Sequence, residues 1–309
     1  MKQKRISAFF FALFLLIATY PVSAEKISLK FSFSTNSIGD GDINTWLNSF
    51  NSLWQDWKKE KGGSLEGQFD PISYGSNMEF ELRIPIISGF AINLGIKTQL
   101  FSEKEGTVLY QNEAKNQSDE QAIFNQVKAL PLKIGLSYSY SIPALSNLSV
   151  FGSIGRHIIF VRYSTKEIYS QFFTPAGIDI SGGIEKENNF RSEALGFYAS
   201  FGAEFDLLKF VAFVLEVEKT WAKIDGFKGS HSLKTWQRGI PLKDSYNEEI
   251  DSGKASLYFY ESDQWNLNQF YSVLSGQIEK PESTFIRNLR QAELNFSGIS
   301  LKIGLRFKF

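Results

Sequence analysis

The 309-residue chain has no cysteine, only two histidines and two methionines. Without cysteine there is neither a disulfide framework nor a thiolate metal site, so stability has to come from strand pairing and burial. Long apolar runs are missing too. Past the first two dozen residues nothing approaches the roughly 18 consecutive apolar residues of a membrane-crossing helix. No sign of charge prevails: Lys+Arg and Asp+Glu are both 33. Removing Lys2, Lys4 and Arg5 with an N-terminal leader leaves 30 cations against 33 acids, a formal −3. That balance gives no footprint for nucleic acid. What the chain does have is aromatic residues, 15% of the total with 29 Phe, high for a water-soluble domain.

The N-terminus reads as a secretory signal. A basic start (Lys2, Lys4, Arg5) is followed by an apolar run over residues 8–18 and a small-residue cleavage site, Val22-Ser23-Ala24. The mature chain is therefore expected to begin at Glu25. The run is too short to anchor the chain as a transmembrane helix. No cysteine follows the site to carry a lipid.

The last eleven residues set the pattern for the rest. Ile299, Leu301, Ile303, Leu305, Phe307 and Phe309 alternate with Ser300, Lys302, Gly304, Arg306 and Lys308. Strict period two means a strand with one apolar and one polar face. Roughly 9–11 tilted residues cross a bilayer. Seven further segments show the same alternation, at residues 26–34, 78–86, 90–100, 130–142, 148–163, 195–205 and 211–218. The fifth changes phase around Gly155-Arg156. Arg156 is expected inside or near the outer rim, beside a bulge.

Short turns alternate with long connections at about 37–77, 101–129, 164–194 and 219–291. An even count puts both termini on one side, and the first and last strands are antiparallel and able to pair. The pattern predicts an all-β, closed antiparallel transmembrane barrel of 25–309, with eight strands favoured. Aromatic stretches at 256–260 and 265–271 leave two readings of the last connection: an extracellular hairpin extension, or two more crossing strands.

The inward positions carry Lys30, Glu79, Glu81, Arg83, Lys97, Lys133, Glu204, Glu216, Glu218, Lys302, Arg306 and Lys308. An eight-stranded interior is just wide enough to be filled by side chains. Interleaved signs favour a salt-bridged plug over an ion path lined by one sign. Depth along the strands pairs Lys30 with Glu81 and Glu216 with Lys302. In the first long connection, residues 42–59 place Ile43, Trp46, Leu47, Phe50, Leu53, Trp54 and Trp57 at helical spacing, with Asp42 to cap the start and Gly62-Gly63 to stop it. This apolar stripe either packs on other loops or the barrel rim, or serves as a lid, a lipid-interface helix or a partner-binding face. Packing against Tyr258, Tyr260, Trp265 and Tyr271, as an extracellular cap, is the expectation.

Three chemical readings are weaker. Asp40-Gly41-Asp42-Ile43-Asn44 has the opening of a calcium loop, but Asn51 stands where the bidentate Glu belongs, so a turn and helix cap is expected and no cofactor. Lys58, Lys59 and Lys61 suit either a solvated helix end or lipopolysaccharide phosphates. His157 and Ser230-His231-Ser232 are the only material for catalysis, and no enzyme is expected.

The signal, the strand layout and the final Leu305-Arg306-Phe307-Lys308-Phe309 resemble the small bacterial outer-membrane barrels of the OmpA/OmpX/OmpW-like eight-stranded group. That resemblance implies an outer-membrane location among lipid and lipopolysaccharide. It implies that Leu305, Phe307 and Phe309 are read by the outer-membrane assembly machinery. The favoured expectation is a non-enzymatic surface barrel whose extracellular loops form a cap or binding surface; two other functions stay open, an OmpW-like conduit for small hydrophobic molecules and a lipid-modifying enzyme.

Overall fold

The computed structural model describes residues 27–37, 41–72, 74–145, 147–174, 180–239, 246–263 and 269–309. The expected signal peptide, Asp40 of the calcium-like motif and Trp265 lie outside these residues. In chain order the elements are β1 (Ser28–Ser37), α1 (Asp42–Lys61), β2 (Ser64–Gln68), β3 (Tyr74–Ile87), β4 (Phe90–Asn112), β5 (Gln117–Ser141), β6 (Leu148–Phe173), β7 (Ile180–Leu208), β8 (Val211–Trp221), β9 (Lys223–Ile224), β10 (Lys228–Gly239), β11 (Tyr246–Ser262), β12 (Tyr271–Gln277), β13 (Ile286–Gln291), β14 (Leu294–Asn295) and β15 (Gly298–Lys308).

Eight of these strands form an antiparallel ring in the order β1-β3-β4-β5-β6-β7-β8-β15 and back to β1. Its final pairing joins the two ends of the chain, Ser28 opposite Lys308. One end of the ring has short turns. The β3–β4 turn is made by Ser88-Gly89, where Gly89 takes φ +77 and a Cβ would strike the Tyr138 ring.

The alternation in the sequence becomes two faces. Outward side chains are large and apolar all round the ring, with Phe33 62%, Ile154 66% and Phe201 65% exposed. Inward side chains at the same level are buried and charged.

Two expectations about the connections are corrected. Most of 101–129 and of 164–194 is strand: β4–β5 and β6–β7 run on as long hairpins above the ring. Two physical features hid them. A register shift between Phe101 and Lys104 reverses the parity of β4, so that Ala91, Asn93 and Lys97 face in below it and Val108, Tyr110 and Asn112 face in above it. Higher up, the outward face turns polar, with Glu120, Lys128, Arg162 and Arg191 exposed, so apolar-out alternation fades while the strand continues. Residues 219–291 are largely strand as well. β8 leaves β7 where Trp221 meets Phe197, and β10 takes its place alongside the upper part of β7. β11 and β12 follow, so residues 256–260 extend the wall above the ring rather than adding to it.

The wall is thus taller on one side. Above the ring it is an open sheet in the order β12-β11-β10-β7-β6-β5-β4-β2. Helix α1 packs against both end strands, β2 and β12. It stops at Gly62, whose φ of +74 favours glycine and whose N–H closes on the Lys58 carbonyl at 2.9 Å.

Arg156 is also corrected in part. No register shift occurs beside it, and it sits on the outer face, with its guanidinium 4.8 Å from the Phe197 ring centre at the level where β8 ends. His157 points inward and is buried.

Candidate functional site

The interior has two storeys. The lower one is built by seven of the eight ring strands, which contribute Lys30, Glu79, Glu81, Arg83, Lys97, Lys133, Glu204, Glu216, Glu218, Lys302 and Arg306, all buried. Lys30 lies 2.5 Å from Glu216, 3.2 Å from Glu81 and 3.5 Å from Glu79. Lys302 reaches Glu79 and Glu218 at 2.6 Å and Glu216 at 3.4 Å. Lys133, from the opposite wall, meets Glu81 and Glu218 at 3.0 Å and Glu79 at 3.2 Å. Lys97 lies 3.4 Å from Glu218. Nearer the short turns, Glu204 joins Arg83 at 2.8 Å and Arg306 at 3.2 Å. Lys308 lies at the edge, on Asp206.

The pairs cross the ring rather than merely running along it. Lys133 on β5 and Lys302 on β15 share Glu79 and Glu218 from β3 and β8. Six cations and five carboxylates therefore interlock in the interior, every one of them buried. β6 contributes neutral groups. Phe151 lies under both Arg83 and Arg306, and His157 stacks on Tyr198 at 4.8 Å. Gly135 and Gly155, paired across β5 and β6, leave room for Tyr198, since a Cβ on either would strike its ring or hydroxyl.

The upper storey has an apolar centre with buried polar groups around it. Val108, Tyr110, Ile123, Val127, Val161, Tyr163 and Phe190 face inward from the long hairpins and pack with Ile43, Trp46, Leu47, Phe50 and Trp54 of α1. Leu53 is buried too, and Trp57 packs at the edge. The charged lower storey offers this helix no apolar bed. The upper storey does, because the strands continue upward and place apolar residues beneath the helix. The helix does meet the last connection: the Ser272 N–H donates to Ser49 Oγ at 2.7 Å, and the Tyr271 hydroxyl donates to Asp56 at 3.1 Å. Lys59 first, then the Tyr271 hydroxyl and the Gln269 amide, hold the Asp56 carboxyl below its usual range against the opposing effect of burial.

Asp42 does not cap its own helix, whose N-cap is Gly41. Its carboxylate accepts from Arg290 and from the Glu293 N–H at 2.6 Å. Asn51, at the twelfth position of the calcium-like motif, bonds both backbone groups of Phe69 at 2.8 Å. Lys59 and Lys61 pair with Asp56 and Glu60.

Beside the helix lies a cavity of about 340 Å³, lined by Phe50, Leu53, Trp54, Trp57, Tyr169 and Glu167 among others. Trp54 donates to Gln121 at 2.9 Å, and Tyr169 to Asp119 at 2.8 Å. Glu167 is 9% exposed, and burial raises its carboxyl above the usual range, with Lys186 opposing the shift. Sequence reasoning missed this cavity, because residues 164–194 read as a loop. The available signal was the inward run Tyr163, Thr165, Glu167, Tyr169.

These features define an all-antiparallel β-protein turned inside out, apolar on the outside of its ring and charged within. No family model matches the chain, and neither does any curated protein. Among solved structures it is similar to the outer membrane protein OprG from Pseudomonas aeruginosa, at 9% identity over 93% of this chain and 97% of that one, with a TM-score of 0.37. It is similar to Acinetobacter baumannii CarO, at 10% identity over 79% and 96%, TM-score 0.26. It is similar also to the outer membrane protease OmpT from Escherichia coli, at 9% identity over 95% and 100%, TM-score 0.25.

Proposed function

We propose that this chain is an integral outer-membrane β-barrel of eight crossing strands, non-enzymatic, whose lumen is shut and whose extracellular storey is a capped binding chamber. The observation that carries the reading is the vertical order inside the ring: a cross-linked ion-pair layer below, a storey with an apolar centre filled by α1 above. The apolar outer belt supports the membrane placement, because a surface of this extent in water is an aggregation site, whereas in lipid it is solvated. β8 and β15, at eleven residues each, match the roughly 9–11 that a tilted strand needs to cross. The long-loop end then faces outward, since outer-membrane barrels keep their short turns in the periplasm.

The histidines support a non-enzymatic role. His157 is closed in beneath the helix against Tyr198, and His231 bonds Asn188 at 2.7 Å. His231 faces inward, whereas Ser230 lies on the exposed side of its strand.

Planar-bilayer recording of the folded, full-length protein tests the shut lumen. No steady conductance is expected, and a large one overturns the reading. A second reading, a conduit for small hydrophobic molecules, is favoured by the aromatic cavity beside α1. Such a conduit requires an exit through the wall, for which the break in the β4–β5 ladder between Phe101 and Lys104 is the candidate. Faster uptake of a small apolar dye by liposomes carrying the protein would favour that reading over the first.

A further inference from the structure

We propose that the outer wall carries a phosphate-binding ladder for one ligand, the phosphorylated headgroup of lipopolysaccharide in the outer leaflet. The proposal rests on the outer-membrane placement above and names a site that placement does not require.

Four cations stand side by side on four neighbouring strands. Lys128 on β5 is opposite Arg162 on β6, Arg162 is opposite Arg191 on β7, and Arg191 is opposite Lys228 on β10. All four are exposed and share the outward face. At about 4.8 Å between strands, the row spans roughly 14 Å. Like charges directly opposite one another in a sheet are destabilising, yet here three such pairs follow in succession. Among the described residues, no carboxylate lies within ion-pairing distance of any of the four. The lysines at the end of α1, considered from sequence for the same ligand, contrast with them, since Lys59 and Lys61 have acidic partners.

The level of the row is as telling as its charge. One step below it on the outward face are Leu130 and Phe160, with Glu193 beside them. One step above are Gln126, Ser164 and Asn189, neutral and polar, with Ser164 donating to Asn189 at 2.8 Å. The ladder thus lies where the outer face changes from apolar to polar, the height at which an outer-leaflet headgroup begins. A shallow groove of about 940 Å³ runs along it and also takes in Glu193 and Asp225. These two acids leave the groove with a net positive charge of two. Guanidinium groups bind phosphate oxygens two at a time, which suits Arg162 and Arg191 at the centre of the row. Acyl chains of the same lipid would then lie along Leu130 and Phe160.

The test uses full-length protein extracted from outer membranes in mild detergent. It is titrated with purified lipopolysaccharide, with the same glycolipid stripped of phosphate, and with inorganic phosphate alone, and followed by native mass spectrometry. The double variant R162Q/R191Q should weaken binding of the phosphorylated glycolipid about tenfold or more, while R162K/R191K retains most of it. A thermal measurement separates binding from folding. In glycolipid-free detergent R162Q should raise the unfolding temperature, because a like-charge neighbour is relieved. Added lipopolysaccharide should raise that of the wild-type protein more than that of the variant. Equal binding of phosphorylated and stripped glycolipid, or binding untouched by R162Q/R191Q, overturns the ladder. Full competition by millimolar inorganic phosphate overturns the assignment to a lipid. Failure of the protein to fractionate with outer membranes is seen before any titration, and it sinks the placement itself.

Discussion

Asp42 and Arg290, almost 250 residues apart, meet in a two-pronged ion pair, Nη2 to Oδ1 at 2.5 Å and Nη1 to Oδ2 at 2.6 Å. The pair pins the first turn of α1 to the end of β13. Arg290 is half exposed, so the charge–charge contribution to stability is small. The gain is positional. Replacing Asp42 by Ala also strips the Glu293 N–H of its acceptor. Limited proteolysis should then cut the first long connection faster, while the heat-modifiable mobility of the ring on gels stays unchanged.

Lys302 serves three carboxylates, so its loss is felt by all of them. The variant K302M should lower unfolding stability in urea by about 3–5 kcal/mol, the usual cost of stranding a buried charge. Removing Glu218 as well, in K302M/E218Q, should recover part of that loss. A double variant as unstable as the sum of the two singles would deny the coupling.

The two buried tryptophans of α1 should differ when replaced by Phe. Trp54 donates to Gln121, so W54F strands an acceptor. Trp46 has no hydrogen-bond partner among the described residues, so W46F should be milder. Alanine at either site should cost about 3–5 kcal/mol where the large side chain is fully enclosed. Near-ultraviolet circular dichroism during thermal melting reads both comparisons.

How much of this was legible in the sequence depends on the solvent on each face. Where a strand is apolar outside and charged inside, as in Ile299, Lys302 and Phe307 on β15, period two is plain. Even the pairings Lys30 with Glu81 and Glu216 with Lys302 follow from depth, at 3.2 and 3.4 Å. Where both sides of the same strand meet water or a helix, the contrast vanishes. Lys128 and Arg162 outside, with Val127 and Tyr163 inside, still alternate, but with the polarity of an ordinary soluble sheet and no turn residues to mark its end. The α1 stripe was legible as a helix. Its bed was not, because that bed consists of strands read as loops.

Glu167 gives a pH dependence with a definite sign. Burial holds its carboxyl above the ordinary range, so between its unfolded and folded values the folded state holds the extra proton. Stability contributed by this group is present below the unfolded value and is lost as pH rises through the folded one. E167Q should therefore stabilise the protein at neutral pH and change little at pH 4. Unfolding midpoints at the two pH values check it, and an E167Q effect larger at pH 4 would reverse the assignment.

Phe309 is 72% exposed, and its backbone N–H bonds the Ile27 carbonyl at 2.9 Å. Little of the folded state depends on its ring. Deleting it should leave the melting temperature of already folded protein nearly unchanged and lower the amount that reaches the membrane in cells. Normal insertion of the truncated chain would remove the proposed role in assembly.

Helix α1 has a further consequence through the two strands it touches. β2 and β12 each pair on one side only among the described residues, with β4 and β11. A bare strand edge is a template for the edge of another molecule. By standing between them, the helix keeps both edges from recruiting neighbours. Loss of the helix would therefore be felt first between molecules, as side-to-side association of copies through β12, before it was felt within one.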